Sequence, residues 1–331
     1  MSELPVPDLT LIVNGVDVSS DMASDVLRFT YQDFHHGQAD EIEVELRDDL
    51  GLWRGPWRPE HGDVVEAAIG YKNGALMDCG RFEVDEPTAS GSRGSGDKLT
   101  FRAIAAAPSK ALRTKNTAGY ENQTLDQVAN KIAGKHGLAV VGDIEPVTFK
   151  RITQRRKRDL EFLTELAEDY GHYFSIKGDT LVFAKRKSLE DRPAVRIITR
   201  REVTSYSLKD STHKTYTKAK VQHLSSETKE LIKAEATDAS VKTGDTLNID
   251  ERVEDEAQAR KLAEGRLAKA NDEKKTCSVT IVGDMLLVAG QVIALDDSFG
   301  KWAGRYLVRT ARHSIARGAG YSTEIEVKGI D

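Results

Sequence analysis

The sequence predicts a mainly β protein that carries an inserted α/β module. Three observations predict it. Residues 1 to about 106 read as short alternating strands between Gly-, Pro- and Ser-rich loops, residues 124–170 switch to helical spacing, and strands return after 195.

In the stretch LTLIVNGVDVSS, Leu9, Leu11 and Val13 alternate up to Asn14-Gly15, a pair that tolerates the positive φ of a type I′ turn, so a hairpin is expected. Further strands are predicted at 41–46, 63–71, 80–86 and 98–105. Together they make a closed or nearly closed antiparallel β unit. Thr124 and Gln127 then form a T-x-x-Q capping box, and Leu125, Val128, Ala129 and Ile132 keep helical spacing up to the glycines at 134 and 137. After a short strand at 138–142, Asp159 is the expected N-cap of a second helix. Leu160, Leu163, Leu166, Ala167 and Tyr170 line one face of it, and Gly171 stands at its left-handed end. HYFSI and TLVFA pair across Gly178-Asp179. From 195 the chain returns to strands, interrupted by a charged helix over about 254–270 with Ala259, Leu262, Ala263 and Leu267 on one side.

The two β regions share a register. Gly62-Asp63-Val64-Val65 echoes Gly290-Gln291-Val292-Ile293, and GRFEV at 80–84 echoes GRYLV at 304–308. Leu99, Phe101 and Ala103 follow Gly80 at the spacing with which Thr323, Ile325 and Val327 follow Gly304, a constant offset of 224. A shared strand opening after a turn explains the short motif alone. Duplication of one β fold also explains the match before and after it.

With 331 residues, the chain exceeds what one core usually supports. Its 53 acidic and 48 basic residues give a net charge of −5, which argues against a general nucleic-acid coat. No signal-peptide pattern or membrane span is read, so a soluble protein without membrane insertion is expected. Cys79 and Cys277 have no CxxC or nearby His at ligand spacing, so no metal is expected.

Lys150, Arg151 and Arg155 to Arg158 form a basic cluster. Phosphate binding needs such a cluster, but single-strand binding also needs interleaved aromatics, and none are present, so a face that meets an acidic protein surface is the preferred reading. The carboxylates Glu161, Glu165, Glu168 and Asp169 suggest paired-acid hydrolysis, but they spread over the polar face of a soluble helix. His35 and His36 are read in a polar loop, and His313 as a packing or interface residue on a late strand. SGSRGSGDK at 90–98 lacks the spacing of a phosphate loop, and FGKWAGR has Trp302 where Ser or Thr is needed. Trp53 and Trp57 either anchor a partner or fold back over the end of the β unit. No catalytic, cofactor or metal residue is assigned. The partner-contact candidates are Arg155, Arg156, Lys157, Arg158, Trp53 and Trp57.

The stretch RDLEFLTELAEDYGHYFSIKGDTLVF resembles the signature segment of the phage late control gene D proteins, the baseplate hubs of contractile tails such as those of Mu-like phages. GDMLLVAGQVIALDDSFGKWAGRYLVRTARHSIARGAGYSTEIEVKG resembles the same family's ending, including Gly304, Tyr306, Val308, His313, Gly320, Tyr321 and Thr323. LIVNGVDVS and GDVVEAAIGY extend the resemblance over nearly the whole chain. The resemblance implies two tail-tube-like antiparallel β-barrels with an inserted α/β module: 1–113 the first barrel, 114–188 the insert, and 189–331 the second, with strands in 195–235 able to complete the first. It implies a structural hub and not an enzyme, with no cofactor. Such a hub assembles as a homotrimer whose six barrels join a six-fold tail tube to a three-fold central spike. Its expected partners are the spike, the tube or tube-initiator protein, and further the tape measure and baseplate wedge proteins, with no specific nucleic acid. Its expected place is the tail baseplate of the virion, after assembly in the host cytoplasm. The alternative is a hub that also binds or cleaves peptidoglycan through 114–188.

Overall fold

A computed structural model describes residues 5–94, 96–105, 114–211, 215–225 and 229–330. The first β region holds β1 (Pro7–Val13), β2 (Val16–Asp17), the short α1 (Ser19–Met22), β3 (Val26–Phe34), β4 (Glu41–Arg47), β5 (Val64–Tyr71), β6 (Leu76–Ser92) and β7 (Gly96–Ala105). The hairpin turn forms as expected: Asn14 and Gly15 take φ of 50° and 81°, the left-handed pair a type I′ turn requires. Strand β3 has no counterpart among the expected strands. In VLRFTYQDF, Phe29, Thr30, Tyr31 and Asp33 are all buried, so both faces are covered and the apolar-polar alternation is lost.

The middle of the chain forms β8 (Lys115–Thr124), α2 (Leu125–Lys135), β9 (Ala139–Val141), β10 (Thr148–Arg158), α3 (Asp159–Asp169), β11 (His172–Lys177), β12 (Thr180–Lys185) and α4 (Arg186–Glu190). The capping box of α2 is present, with Thr124 Oγ1 accepting from the Gln127 N–H and the Gln127 side chain accepting from the Thr124 N–H. Strands β8 and β10 form a two-stranded ribbon, and β9, β12 and β11 a three-stranded sheet. Leu125, Val128, Phe149, Phe162, Leu163, Leu166 and Phe183 close a separate core between them.

The remainder contains β13 (Arg196–Ile198), β14 (Val203–Asp210), β15 (Tyr216–Leu224), β16 (Leu231–Thr237), β17 (Asp245–Ile249), α5 (Glu256–Ala270), β18 (Lys275–Val282), β19 (Val292–Leu295), β20 (Gly304–Ala316) and β21 (Gly320–Gly329). Strands β15 to β17 form a sheet of their own under α5, with a core of Ala219, Val221, Ala259, Leu262, Ala263 and Leu267. The strands within 195–235 therefore have two destinations: β13 and β14 join the second β region, while β15 and β16 build a second α/β unit that completes neither β region.

The large sheet runs β14-β18-β21-β20-β3-β4-β7-β6-β5-β1-β2, with β13 and β19 branching from β20. Its halves repeat. In the first, β3-β4-β7-β6-β5 are neighbours in that order; in the second, β14-β18-β21-β20-β19 are. Phe82 pairs with Ala105, and Tyr306 with Gly329, both at the offset of 224. The irregularities recur too: after Val84 and Val308 in β6 and β20, and after Val26 and Val203 in β3 and β14. The halves part company at the sixth strand, since β1 runs antiparallel to β5 but β13 runs parallel to β19. The expected barrels are not closed by hydrogen bonding among the described residues. One open sheet continues from half to half instead, because β20 is long enough to pair with β19 through its first residues and with β3 through its last.

Candidate functional site

Arg155 to Arg158 of the basic cluster lie at one end of the β8–β10 ribbon, whereas Lys150 and Arg151 stand towards the other end, their N–H groups on Glu254. The ribbon's register breaks between Gln154 and Lys157, and Arg156 takes φ of 50°, a bulge that turns the following side chains outward. The buried Gln154 amide pins the bulge by donating to the Lys157 carbonyl (2.9 Å) and to Asp159 Oδ1 (2.7 Å). Asp159 is the first helical residue of α3, not its N-cap, which is Arg158. Its carboxylate is buried and accepts from Lys135 Nζ (2.8 Å) and His136 Nε2 (2.7 Å). Burial opposes ionisation, but the hydrogen bonds from Lys135, Gln154 and His136 outweigh it and hold Asp159 below the usual carboxylate range. The consequence is a rigid tip. Arg155, Arg156 and Arg158 are exposed on it and bound in no ion pair among the described residues, whereas Lys157 is paired with Glu165.

Three of the four acids on the polar face of α3 are taken up by such pairs, while Glu161 accepts the Arg158 N–H at 3.4 Å. Glu165 meets Lys157, Glu168 meets Lys269 of α5, and Asp169, which burial pushes up to about 7, meets Arg266 at 2.6 Å. No group of three or more His, Cys, Asp or Glu side chains could hold a metal among the described residues. Cys79 and Cys277 are free and buried, and among the described residues no helix is long and apolar enough to cross a membrane.

The tryptophans separate. Trp53 is buried in the first core, its indole N–H donating to Asp25 Oδ2 at 3.0 Å, so it is removed from the contact surface for which the sequence made it a candidate. Trp57 packs edge-on against it at 5.4 Å and stays exposed.

A junction that sequence reasoning missed ties the two halves to the α/β module. Lys177 Nζ, at the end of β11, reaches both Asp40 oxygens at 2.7 Å and the Asp33 carboxylate. Asp33 Oδ2 also accepts the Ala289 N–H at 2.8 Å, so one buried carboxylate touches all three parts. His35 and His36, read as a polar loop, are in fact packed here: His35 lies 4.0 Å from the Tyr173 ring, and His36 Nδ1 accepts the Phe174 N–H at 3.0 Å. The only sequence signal was the pair of acids, Asp33 and Asp40, flanking two histidines at the end of an apolar run. Nothing local marks Lys177 as their partner, 137 residues beyond Asp40.

His313 is a packing residue, as expected. It is fully buried on β20, its Nε2 donating to the Leu287 carbonyl (3.0 Å) and its Nδ1 accepting from the Tyr321 hydroxyl (2.8 Å). Burial lowers it to about 4. What these surfaces offer is docking, with an exposed basic tip, an exposed aromatic and long strand edges held on a rigid frame.

Comparison with known proteins gives the same direction. The profile of the YQBQ-like family matches residues 109–328. The chain is 30% identical over 184 residues to a probable baseplate hub protein of Escherichia phage P2, a stretch covering 54% of this chain and 45% of that protein. It thus spans under half the length of that curated relative. Among solved structures, it resembles the 43 kDa tail protein of prophage MuSo2 from Shewanella oneidensis, with a TM-score of 0.72 and 17% identity over 96% of this chain and 97% of that one. It also resembles the E. coli c3393 protein, a component of the type VI secretion system described as structurally similar to the T4 tail proteins gp27 and gp5. That likeness has a TM-score of 0.60 and 15% identity, over 93% of this chain and 74% of that one. These likenesses show a shared fold, and the resemblance to phage tail hubs carried by the 158–183 and 283–329 segments is borne out.

Proposed function

The chain belongs to the YQBQ-like family, and from that premise we propose that it is the baseplate hub of a contractile phage tail, a structural trimer joining the six-fold tube to the three-fold spike. The observation that carries this reading is the repeat: two five-stranded arrays of the same order, register and bulges in one chain. A ring facing partners of different symmetry must offer each a matching surface. Three copies of a doubled unit present six similar units to the tube and three chains to the spike. Each half then corresponds to one tube-like barrel, whose curvature comes from packing around its own core and not from a closed ladder.

The named relatives support the reading by fold and by the P2 hub's name. No covalent step is part of it, since Glu165, Glu168 and Asp169 of α3 are engaged in ion pairs and His313 serves packing. The proposed setting is the virion baseplate, with the tube or its initiator and the spike as direct neighbours.

Light scattering of the purified chain, alone and with its spike protein, tests this. A trimer in either condition is expected, and a stable dimer in both overturns the reading. Clearing of purified cell walls that is lost in Glu161→Gln or Glu165→Gln would instead assign a lytic role to the 114–188 unit.

A further inference from the structure

The joint between the two halves specifies a second joint. Within the chain, β3 of the first half pairs antiparallel with the end of β20, from Thr310 opposite Phe34 to Ala316 opposite Arg28. The counterpart of β3 in the second half is β14, and the counterpart of the end of β20 in the first half is the end of β6, residues 86–92. Among the described residues, no strand pairs with the outer edge of β14, nor with β6 beyond Glu83 on the side where β5 ends. Two unfilled edges thus stand where the fold, at the equivalent places, has a filled joint.

We propose that the β14 edge of one copy pairs antiparallel with residues 86–92 of the next, repeating the β3–β20 joint between chains and closing a ring of three. This rests on the hub reading and specifies its interface. Carrying the internal register across sets Leu208 opposite Ala89, Ser207 opposite Ser90 and Tyr206 opposite Gly91 of the neighbour.

Backbone parity fits. In the β4–β7 and β7–β6 ladders the even residues of β6 face β7, as the Asp48 N–H bond to the Asp97 carbonyl fixes, so Ala89 and Gly91 aim their N–H groups at the open edge. On β14, the Ser211 N–H bond to the Lys274 carbonyl sets the odd residues towards β18, which turns Tyr206, Leu208 and Asp210 outward. The two sets meet as hydrogen-bonded pairs. Pro87 faces Asp210 in this register and lacks a donor, but its carbonyl still accepts.

Side chains show what the missing neighbour would cover. Phe29 and Tyr31, on β3, are 0% and 6% exposed beneath β20, whereas Tyr206, the equivalent of Phe29, is 46% exposed. Leu208, the equivalent of Tyr31, is half-buried. Gly91, opposite Tyr206, carries no side chain, and the Asp97 carboxylate folds over the place a Cβ would take, so the Tyr206 ring meets a polar group there. The long unpaired edges explain why a partner strand is needed, because an edge of this length invites pairing with another chain. A head-to-tail joint closes when its rotation matches the ring, and the doubled unit allows two similar joints to alternate around three copies.

The test is disulfide trapping of Ser90→Cys combined with Ser207→Cys, which face each other at a non-hydrogen-bonded pair with Cα atoms roughly 4.5 Å apart. Oxidation is expected to yield a covalent trimer on a non-reducing gel, while Ser90→Cys with Ser205→Cys, shifted by two residues, yields monomer. Trimer in light scattering without cross-linking of the matched pair overturns the strand pairing and leaves the hub reading standing. Monomer at every concentration and with spike, and no cross-link, overturns both. Cross-linked species running beyond trimer overturn ring closure. As a second variant, Ala89→Pro removes an N–H that points away from β7, so the expected result is loss of the trimer with an unchanged circular dichroism spectrum. A trimer that survives Ala89→Pro also overturns the proposal.

Discussion

His313 shows how a single buried ring can serve a frame. Both of its nitrogens are used, one towards the Leu287 carbonyl and one towards the Tyr321 hydroxyl, so the neutral ring is fully bonded and a second proton would place a charge in the core. Burial lowers its folded-state pKa to about 4, below the ordinary value near 6.5. The unfolded chain therefore takes up a proton first, and stability present above pH 6.5 is lost as the pH falls to about 4, with a ceiling of roughly 3 kcal/mol from this group. His172, lowered to about 4 by burial, and His35, lowered to about 3, act with the same sign. Urea unfolding of His313→Asn at pH 7 and pH 4.5 is expected to show a smaller drop between the two than wild type. An identical drop would refute the assignment. His313 was legible as a packing residue because it sits in an apolar strand. His35 and His36 were not, since their burial depends on Tyr173 and Phe174, more than a hundred residues away.

At the scale of elements, helices were read well and ribbons poorly. Helix α2 carries its own signals: a capping box, an apolar stripe and a positive-φ glycine after its end, Gly137 at 70°. The β8–β10 ribbon carries none, because in KNTAGYENQT only Tyr120 is buried and the rest are exposed or half-buried without an apolar alternation. The place of α5 was set by an unremarkable glycine. A Cβ at Gly265 would stand 2.2 Å from the Asp169 carbonyl oxygen, at the end of α3, so the two helices meet only because that side chain is absent. Gly265→Ala is expected to lower stability by about 2 kcal/mol, although alanine is the better helix former by roughly 1 kcal/mol. Thermal unfolding checks the sign, and a stabilised variant would mean the helices do not touch there.

Considered whole, the molecule is a rigid repeat with appended units that leave selected surfaces free. The bulged tip with Arg155, Arg156 and Arg158 is one, and charges on an exposed surface govern partner encounter more than folding. Reversing all three to Glu is expected to leave the melting temperature within about 2 °C. It should weaken binding to spike or tube protein in a salt-dependent way, measured by calorimetry at two ionic strengths. Unchanged affinity for both would assign the tip to another neighbour. The hairpins, the capped helices and the equal register of the two β regions were legible from the residues alone, because turn chemistry, side-chain periodicity and spacing are local properties of the chain. The folded chain alone shows that β20 runs from one half into the other, that β15 to β17 leave the second half, and that β14 and the later part of β6 each keep one edge without a neighbouring strand among the described residues. Each of those depends on which distant backbone fills a hydrogen-bonding edge, and an edge carries no mark in the sequence of the strand that will occupy it.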